Sequence, residues 1–461
     1  MKRAAALTLF CAVTRTSQGA PIHPPVVAPA VPLGDAPVVS TAKPAAPTGA
    51  CLFLDPANPI VNSWKNADEW DAWVTRPPAC PSLYLPKLSA EGEKLVFQNP
   101  TRAVKTVILL RERGSEAAQA VDNAILAIGR IDPNVEVKVI DFSDYPGYRP
   151  ASELEGVMSA DTEAGLRDMK VRVELYKEGK HVRTLVEGQA DAIDVTPFAR
   201  DAFWVLKDVN APPGKAHRLL QTPHHELGFY PVAPVLAPHL SDIVESRAWS
   251  SVSYETRNYG GNFLPLTDKI VLTGKVEGGA DSPGAAQQIQ VELERSGGKV
   301  IEVGLKNLPT GHVDEYFSVV PDPKSPCGVA LLFADPSLAT DPKARNASNQ
   351  ETRISVLAAV EKIRKESGCE PLRAFGVPVV FPSDGEGPGS RGNPVNALVF
   401  PLGPGKTQVL MASTPEDEGV RDALLKAGKE LGYSLLPVFT DARGFYRRGG
   451  NVHCATNEIR E

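Results

Sequence analysis

Strand-like and helix-like runs alternate along this chain from about residue 104 to its end, and that alternation limits the fold more than any other feature. Residues 104–110 form a β-rich apolar run. Residues 116–128 place Ala120, Ala124, Ile125 and Ile128 at helical spacing, and 135–140 alternate as a strand. Residues 171–176 and 182–186 predict a hairpin turning at Lys177-Glu178-Gly179. A strand at 270–272, a helix around 285–294 and a strand at 300–303 precede a strand-like stretch at 311–320. The end runs strand 395–400, strand 408–411, helix 415–431 and strand 434–439. Strand–helix–strand units repeated down a chain argue for an α/β fold. A short echo, GGN followed by a hydrophobic residue at 260–263 and again at 449–452, fits repeated units arranged around a centre.

The first hundred residues read differently. Lys2 and Arg3 precede an apolar run at 4–13, then Gly19 and Ala20, which resembles a secretory signal over residues 1–20. The run is too short to span a bilayer, and no later segment has eighteen consecutive apolar residues, so no transmembrane helix is expected. Residues 21–50 have a Pro/Ala/Val-rich linker composition. Residues 51–95 hold Trp64, Trp70 and Trp73 and read as a small loop-rich cap, leaving 96–461 as the catalytic domain. The expected location is secreted or periplasmic. The net charge of −6 gives no reason to expect a nucleic-acid partner.

Cysteine use fits export. With Cys11 lost in the leader, Cys51–Cys80 and Cys327–Cys369 form two sequence-local pairs, and Cys454 is left alone. An odd thiol, preceded by His453 in GGNVHCATNEI, is the natural place to seek a nucleophile, because backbone amides or an imidazole favour the thiolate. The plain alternative is a buried, inert cysteine in a terminal strand.

Three other stretches carry chemistry. Gly311-His312-Val313-Asp314-Glu315 opens a strand-like run, where alternation would put His312 and Asp314 on one face. Arg200-Asp201 sits in an apolar-aromatic context, and Gly260-Gly261-Asn262 offers backbone that a ligand can approach. His224-His225-Glu226, with His217 and His239, matches no zinc spacing, so no metal site is expected there.

Taken in order, RD, GGN, GHVDE and a C-terminal HC resemble the guanidino-group-modifying (pentein) superfamily, its protein-arginine deiminase branch above all. The likeness is strongest in NLPTGHVDEYFSVVPD, NPVNALVF and GGNVHCATN, and it spans about residue 100 to the end. The resemblance implies a five-bladed α/β propeller with the active site at its centre. It also implies Cys454 as nucleophile, His312 as general acid/base, Asp314 and Asp201 as guanidinium-gripping carboxylates, and Arg200, Gly260, Gly261 and Asn262 as substrate contacts. The implied substrate is an arginine-containing protein or peptide, converted to citrulline and ammonia through a thiouronium adduct without cofactor. Calcium is not expected, since Phe263-Leu264 stand where the animal enzymes carry an acidic ligand. A second register, through Glu226-Leu227-Gly228-Phe229, would put Pro223 at the first carboxylate and leave an impaired enzyme. Hydrolysis of a small guanidine and an inactive binding module are the two competing readings.

Overall fold

The computed structural model describes residues 92–112, 115–143, 169–190, 198–212, 215–221, 243–248, 260–276, 293–306, 312–381, 392–403, 405–412, 418–447 and 450–461. All lie in one compact unit, Pro47–Glu461. The expected leader, linker, Cys51–Cys80 pair, His224-His225 pair and most of the 285–294 helix fall outside these residues, as does nearly all of the cap.

The described strands form five sheets. The first is β1 (Leu95–Phe97), β6 (Phe203–Asp208), β7 (His217–Gln221) and β8 (Ile243–Ala248). The second runs β11 (Lys299–Leu305), β10 (Ile270–Val276), β9 (Phe263–Pro265). The third is β12 (Phe317–Pro321), β13 (Val329–Ala334), β14 (Ala374–Val377), and the fourth β15 (Leu398–Pro401), β16 (Lys406–Ala412), β17 (Ser434–Thr440). The fifth joins the two ends of the described chain: β18 (Thr456–Arg460), β2 (Val104–Glu112), β3 (Glu136–Ser143), β4 (Met169–Lys177) and β5 (Lys180–Ala190).

One pattern recurs in all five: an antiparallel pair whose second strand also pairs in parallel with a third. The pairs are β6/β7 then β8, β9/β10 then β11, β12/β13 then β14, β15/β16 then β17, and β18/β2 then β3. Parallel neighbours need a crossover. Among the described residues, three carry a whole helix: α1 (Glu116–Ile131), α3 (Ala347–Ser367) and α4 (Glu418–Leu431). A single helical turn, α2 (Ala199–Ala202), leads into β6, and residues 293–295 are helical ahead of β11.

Local chemistry explains these elements. Ser115 caps α1 by accepting from the Ala118 amide at 3.2 Å, and Ala117, Ala120, Val121, Ala124, Ile125, Ile128 and Ile131 bury one face. Each fully buried aliphatic side chain of that face contributes about 1.5–3 kcal/mol. Asn346 caps α3 through the Asn349 amide at 2.7 Å, and Gly368 ends it in the left-handed conformation. The β4–β5 hairpin turns at Glu178 and Gly179, both at positive φ, as the tight two-residue turn requires.

Apolar clusters span sheet boundaries. Leu264, Phe317, Leu331, Val399 and Leu435 lie in one core shared by the second, third and fourth sheets. Leu109, Ile128, Phe400 and Val452 share a core between the fourth and fifth. Phe97, Trp204, Phe263 and Val271 join the first to the second, with the Trp204 and Phe263 rings 4.7 Å apart edge to face. The first and fifth sheets meet where the Asn457 side-chain amide donates to the Phe203 carbonyl at 2.6 Å.

Two sequence expectations are corrected. His312 and Asp314 are not on a strand: residues Val313–Glu315 form a 3₁₀ turn, closed by the Glu315 amide on the His312 carbonyl at 3.2 Å, and β12 begins only at Phe317. The strand expected at 395–400 begins at Leu398, because 393–396 form a turn fixed by their own asparagines.

Candidate active site

Each first strand of the five repeats is preceded by a tight turn, and the chemistry-bearing residues sit in those turns. The turn α2 carries Arg200 and Asp201 into β6, and the 3₁₀ turn Gly260–Asn262 leads into β9. The turn Val313–Glu315, capped by His312, leads into β12; Asn393 and Asn396 precede β15. A last turn, α6 (Val452–Ala455), carries Cys454 into β18 and follows another single turn, α5 (Arg443–Tyr446). Repetition of one local design thus brings residues up to 258 apart in sequence into hydrogen-bonding contact.

Asn396 is the hinge pin of this arrangement. It is fully buried. Its Oδ1 accepts from the amides of His453 at 2.9 Å and Cys454 at 3.2 Å, while its Nδ2 donates to the Asp314 carbonyl at 3.3 Å and to the Cys454 sulfur at 3.1 Å. Asn393 works beside it, donating its Nδ2 to the Glu315 carbonyl at 2.7 Å, its amide to Asn451 Oδ1 at 3.0 Å. The fourth turn therefore ties the third to the fifth. Buried amides with every group satisfied rigidify what they hold.

The ionisable groups converge on Gly261. A Cβ there would lie 2.7 Å from His312 Nδ1 and 3.2 Å from each Asp314 oxygen, so only glycine lets the backbone come this close. The Gly261 amide donates to Asp201 Oδ1 at 3.2 Å, and His312 Nδ1 lies 4.0 Å from that same oxygen. Asp314 Oδ2 lies 2.7 Å from His453 Nδ1 and 3.5 Å from the Cys454 sulfur. Asp314 Oδ1, equally buried, has no hydrogen-bond partner among the described residues. Asp201 is not on the surface; it is 8% exposed, against 1% for Asp314 and 3% for Cys454.

Three carboxylates crowd this centre, and the electrostatics follow. Burial, then the neighbouring charge of Asp201, pushes the Asp314 carboxyl up to about 8. Burial, then Asp314, Asp201 and Glu315, drives the Cys454 thiol well above its ordinary range. Burial, then Arg200 and Arg460, holds the His453 imidazole far below its ordinary value. The empty site is thus an acidic cage with a protonated thiol and a neutral His453.

The structure brings together Cys454, His312, Asp314, Asp201 and Gly261 from four separate turns. Two of the expected substrate contacts are engaged within the protein. Arg200 donates Nε to the carbonyls of His453 and Thr456, both at 3.2 Å, and its Nη2 pairs with Glu458. Asn262 Oδ1 accepts from the amides of Gly274 at 2.9 Å and Val313 at 3.2 Å. Gly260 opens the second turn. Sequence reasoning missed Asn393, Asn396 and the contact of His453 with Asp314. The asparagines had a signal, since NPVN stands just before an apolar strand as GGN and HVDE do.

No protein-family model matches this chain, and no curated protein is significantly similar to it. Solved structures do match. One, from Porphyromonas gingivalis and provisionally described as an arginine deiminase, is 12% identical with a TM-score of 0.51, over 80% of this chain and 99% of that one. An agmatine deiminase of C. jejuni is 14% identical with a TM-score of 0.47, over 82% of this chain and 99% of the other. The P. gingivalis likeness is one of fold: this chain shares the mixed α/β architecture of that structure over 80% of its length.

Proposed function

We propose that this protein hydrolyses guanidinium groups, with peptidyl-arginine as the substrate and peptidyl-citrulline and ammonia as products. The observation that carries this reading is the buried convergence of Asp201, Asp314, His312 and Cys454 around Gly261, with one Asp314 oxygen unpartnered. A buried cluster of carboxylates, with Arg200 beside it turned onto Glu458, is matched to a delocalised cation, and a guanidinium presents paired N–H donors to carboxylates. The recurrence of one sheet pattern five times, with the last strand joined to the first sheet-forming strands, supports a ring of five blades around that site.

The chemistry follows from the electrostatics. A guanidinium entering between Asp201 and Asp314 replaces the proton that Asp314 holds when the site is empty, and its positive charge lowers the cost of ionising Cys454. The thiolate attacks the guanidinium carbon. His312 gives a proton to the departing nitrogen, which leaves as ammonia, and the sulfur remains bonded to carbon as a thiouronium. Water then attacks that carbon, His312 takes its proton, and the C–S bond breaks to return the thiolate and release the ureido product. One guanidinium nitrogen leaves as ammonia and the attacking water supplies the ureido oxygen, with no change of oxidation state.

Phe263 and Leu264 support activity without calcium, since both are packed in apolar cores. The secretory character of residues 1–20 and the Cys327–Cys369 disulfide support a secreted or periplasmic enzyme. The test is formation of the ureido product and ammonia from a blocked arginine peptide, free arginine and agmatine, each with and without calcium, in wild type and Cys454→Ala. Peptide turnover lost in the variant supports the reading. Turnover of agmatine or free arginine alone would replace it with a small-guanidine hydrolase, and no turnover by folded protein would favour a binding module.

A further inference from the structure

We propose that His453 is a positioning residue for guanidine hydrolysis: its neutral ring, protonated on Nδ1, occupies Asp314 Oδ2 and thereby reserves Oδ1 for the substrate. This rests on the deiminase reading of the site above.

The geometry is one-sided. Asp314 Oδ2 has His453 Nδ1 at 2.7 Å and the Cys454 sulfur at 3.5 Å, and the Asn396 side chain also acts on the carboxyl, while Oδ1 is buried without a partner among the described residues. A carboxylate in a desolvated site with no fixed donor could rotate and offer either oxygen. One short bond to an immobile ring removes that freedom. The ring is immobile because both ends of its residue are tied: the His453 amide donates to Asn396 Oδ1 at 2.9 Å, and its carbonyl accepts from Arg200 Nε at 3.2 Å. Arg200 thus acts on the site from behind, through the backbone of His453.

The surrounding charges fix the ring's state. Facing His453 are Asp314 from the third turn, Arg200 from α2 and Arg460 from β18, the last two disfavouring an imidazolium. Facing Asp314 are Asp201 and Arg200 from α2, His453 and Cys454 from α6, and His312 within its own turn. With the imidazole neutral and the Asp314 proton on Oδ1, the tautomer that bonds Oδ2 carries its proton on Nδ1. The proton that Asp314 holds in the empty site then resides on Oδ1, where the incoming cation displaces it.

Two measurements test this. In full-length protein labelled with ¹⁵N-histidine, the His453 ring, identified by its loss in His453→Asn, is expected to be neutral and Nδ1-protonated from pH 6 to pH 8. A charged ring, or a proton on Nε2, overturns the proposal whether or not the protein turns over any guanidine. The second compares kcat/KM against pH for wild type, His453→Asn and His453→Leu on a blocked arginine peptide. Asparagine places a donor near the Nδ1 position and is expected to stay within about threefold of wild type. Leucine is expected to move the acid limb upward by about one pH unit and to raise KM about tenfold, with kcat changed less. Equal, pH-independent losses in both variants would assign His453 a structural role and overturn the proposal.

Discussion

Asp314 offers Cys454 and His453 the same oxygen, Oδ2, and keeps its other oxygen buried and, among the described residues, unpartnered. Such an acid is built for a ligand and is costly without one. Its folded-state carboxyl stands near 8, above an ordinary value near 3.8. The folded protein therefore binds a proton that the unfolded chain releases. That contribution to stability is fully present below the ordinary value and is lost as pH rises through about 8. Asp314→Asn is expected to remove this slope. Thermal melts at pH 8 should show the variant more stable by about 1–3 kcal/mol, with the gap closing at acid pH, while guanidine turnover falls about a thousandfold. A variant no more stable at pH 8 than at pH 5, relative to wild type, would contradict the buried-acid account.

Asn396 makes four side-chain hydrogen bonds with no solvent exposure. Asn396→Ala leaves two amides and a carbonyl without these partners, and a net loss of about 2–4 kcal/mol is expected. In protein that still folds, kcat should fall about a hundredfold, since the sulfur loses its nearest donor. Urea melts and single-turnover rates separate the two effects.

Gly261 supplies a sharper test of the convergence. Alanine there would put a methyl 2.7 Å from His312 Nδ1, between the imidazole and the Asp314 carboxyl. The clash falls on the His312 and Asp314 side chains, the proposed reacting groups, rather than on the core. Gly261→Ala is therefore expected to cut kcat/KM by about a hundredfold or more, with a modest change in melting temperature. Wild-type kinetics in this variant would place the reacting groups elsewhere.

The Cys327–Cys369 disulfide joins the β12–β13 turn to the end of α3 across a sequence separation of 42. Closing a loop of that length contributes about 4 kcal/mol through the unfolded chain. Reduction, or the double variant Cys327→Ser with Cys369→Ser, should lower the melting temperature while leaving kcat at a permissive temperature within about twofold. Both cysteines lie in the third repeat, away from Cys454, so a large loss of kcat would mean that the repeat does not hold its turn without the crosslink.

Arg200 shows where sequence reasoning reached and stopped. The Arg-Asp pair was legible as a site segment, and Asp201 does stand against Gly261 and His312. The sequence could not say that the arginine beside it turns the other way, onto Glu458 and the carbonyls of His453 and Thr456. Its direction depends on α6 and β18, which lie more than 250 residues further along and reach it only through the fifth sheet.

The sequence by itself determined the repeated strand–helix–strand grammar, the places of α1 and α4 and the β4–β5 turn, because apolar periods and glycine conformations act over a few residues, whereas the long helix α3 was not read from it. It also singled out Cys454, His312, Asp314 and Asp201, which the fold brings together. Only the tertiary structure decided that His312 and Asp314 leave the strand for a 3₁₀ turn, that NPVN bolts two turns together, and that one Asp314 oxygen is taken while the other stays open. Those outcomes are set by hydrogen bonds between turns of different sheets and by the loss of water around them, and neither leaves a local pattern in the chain.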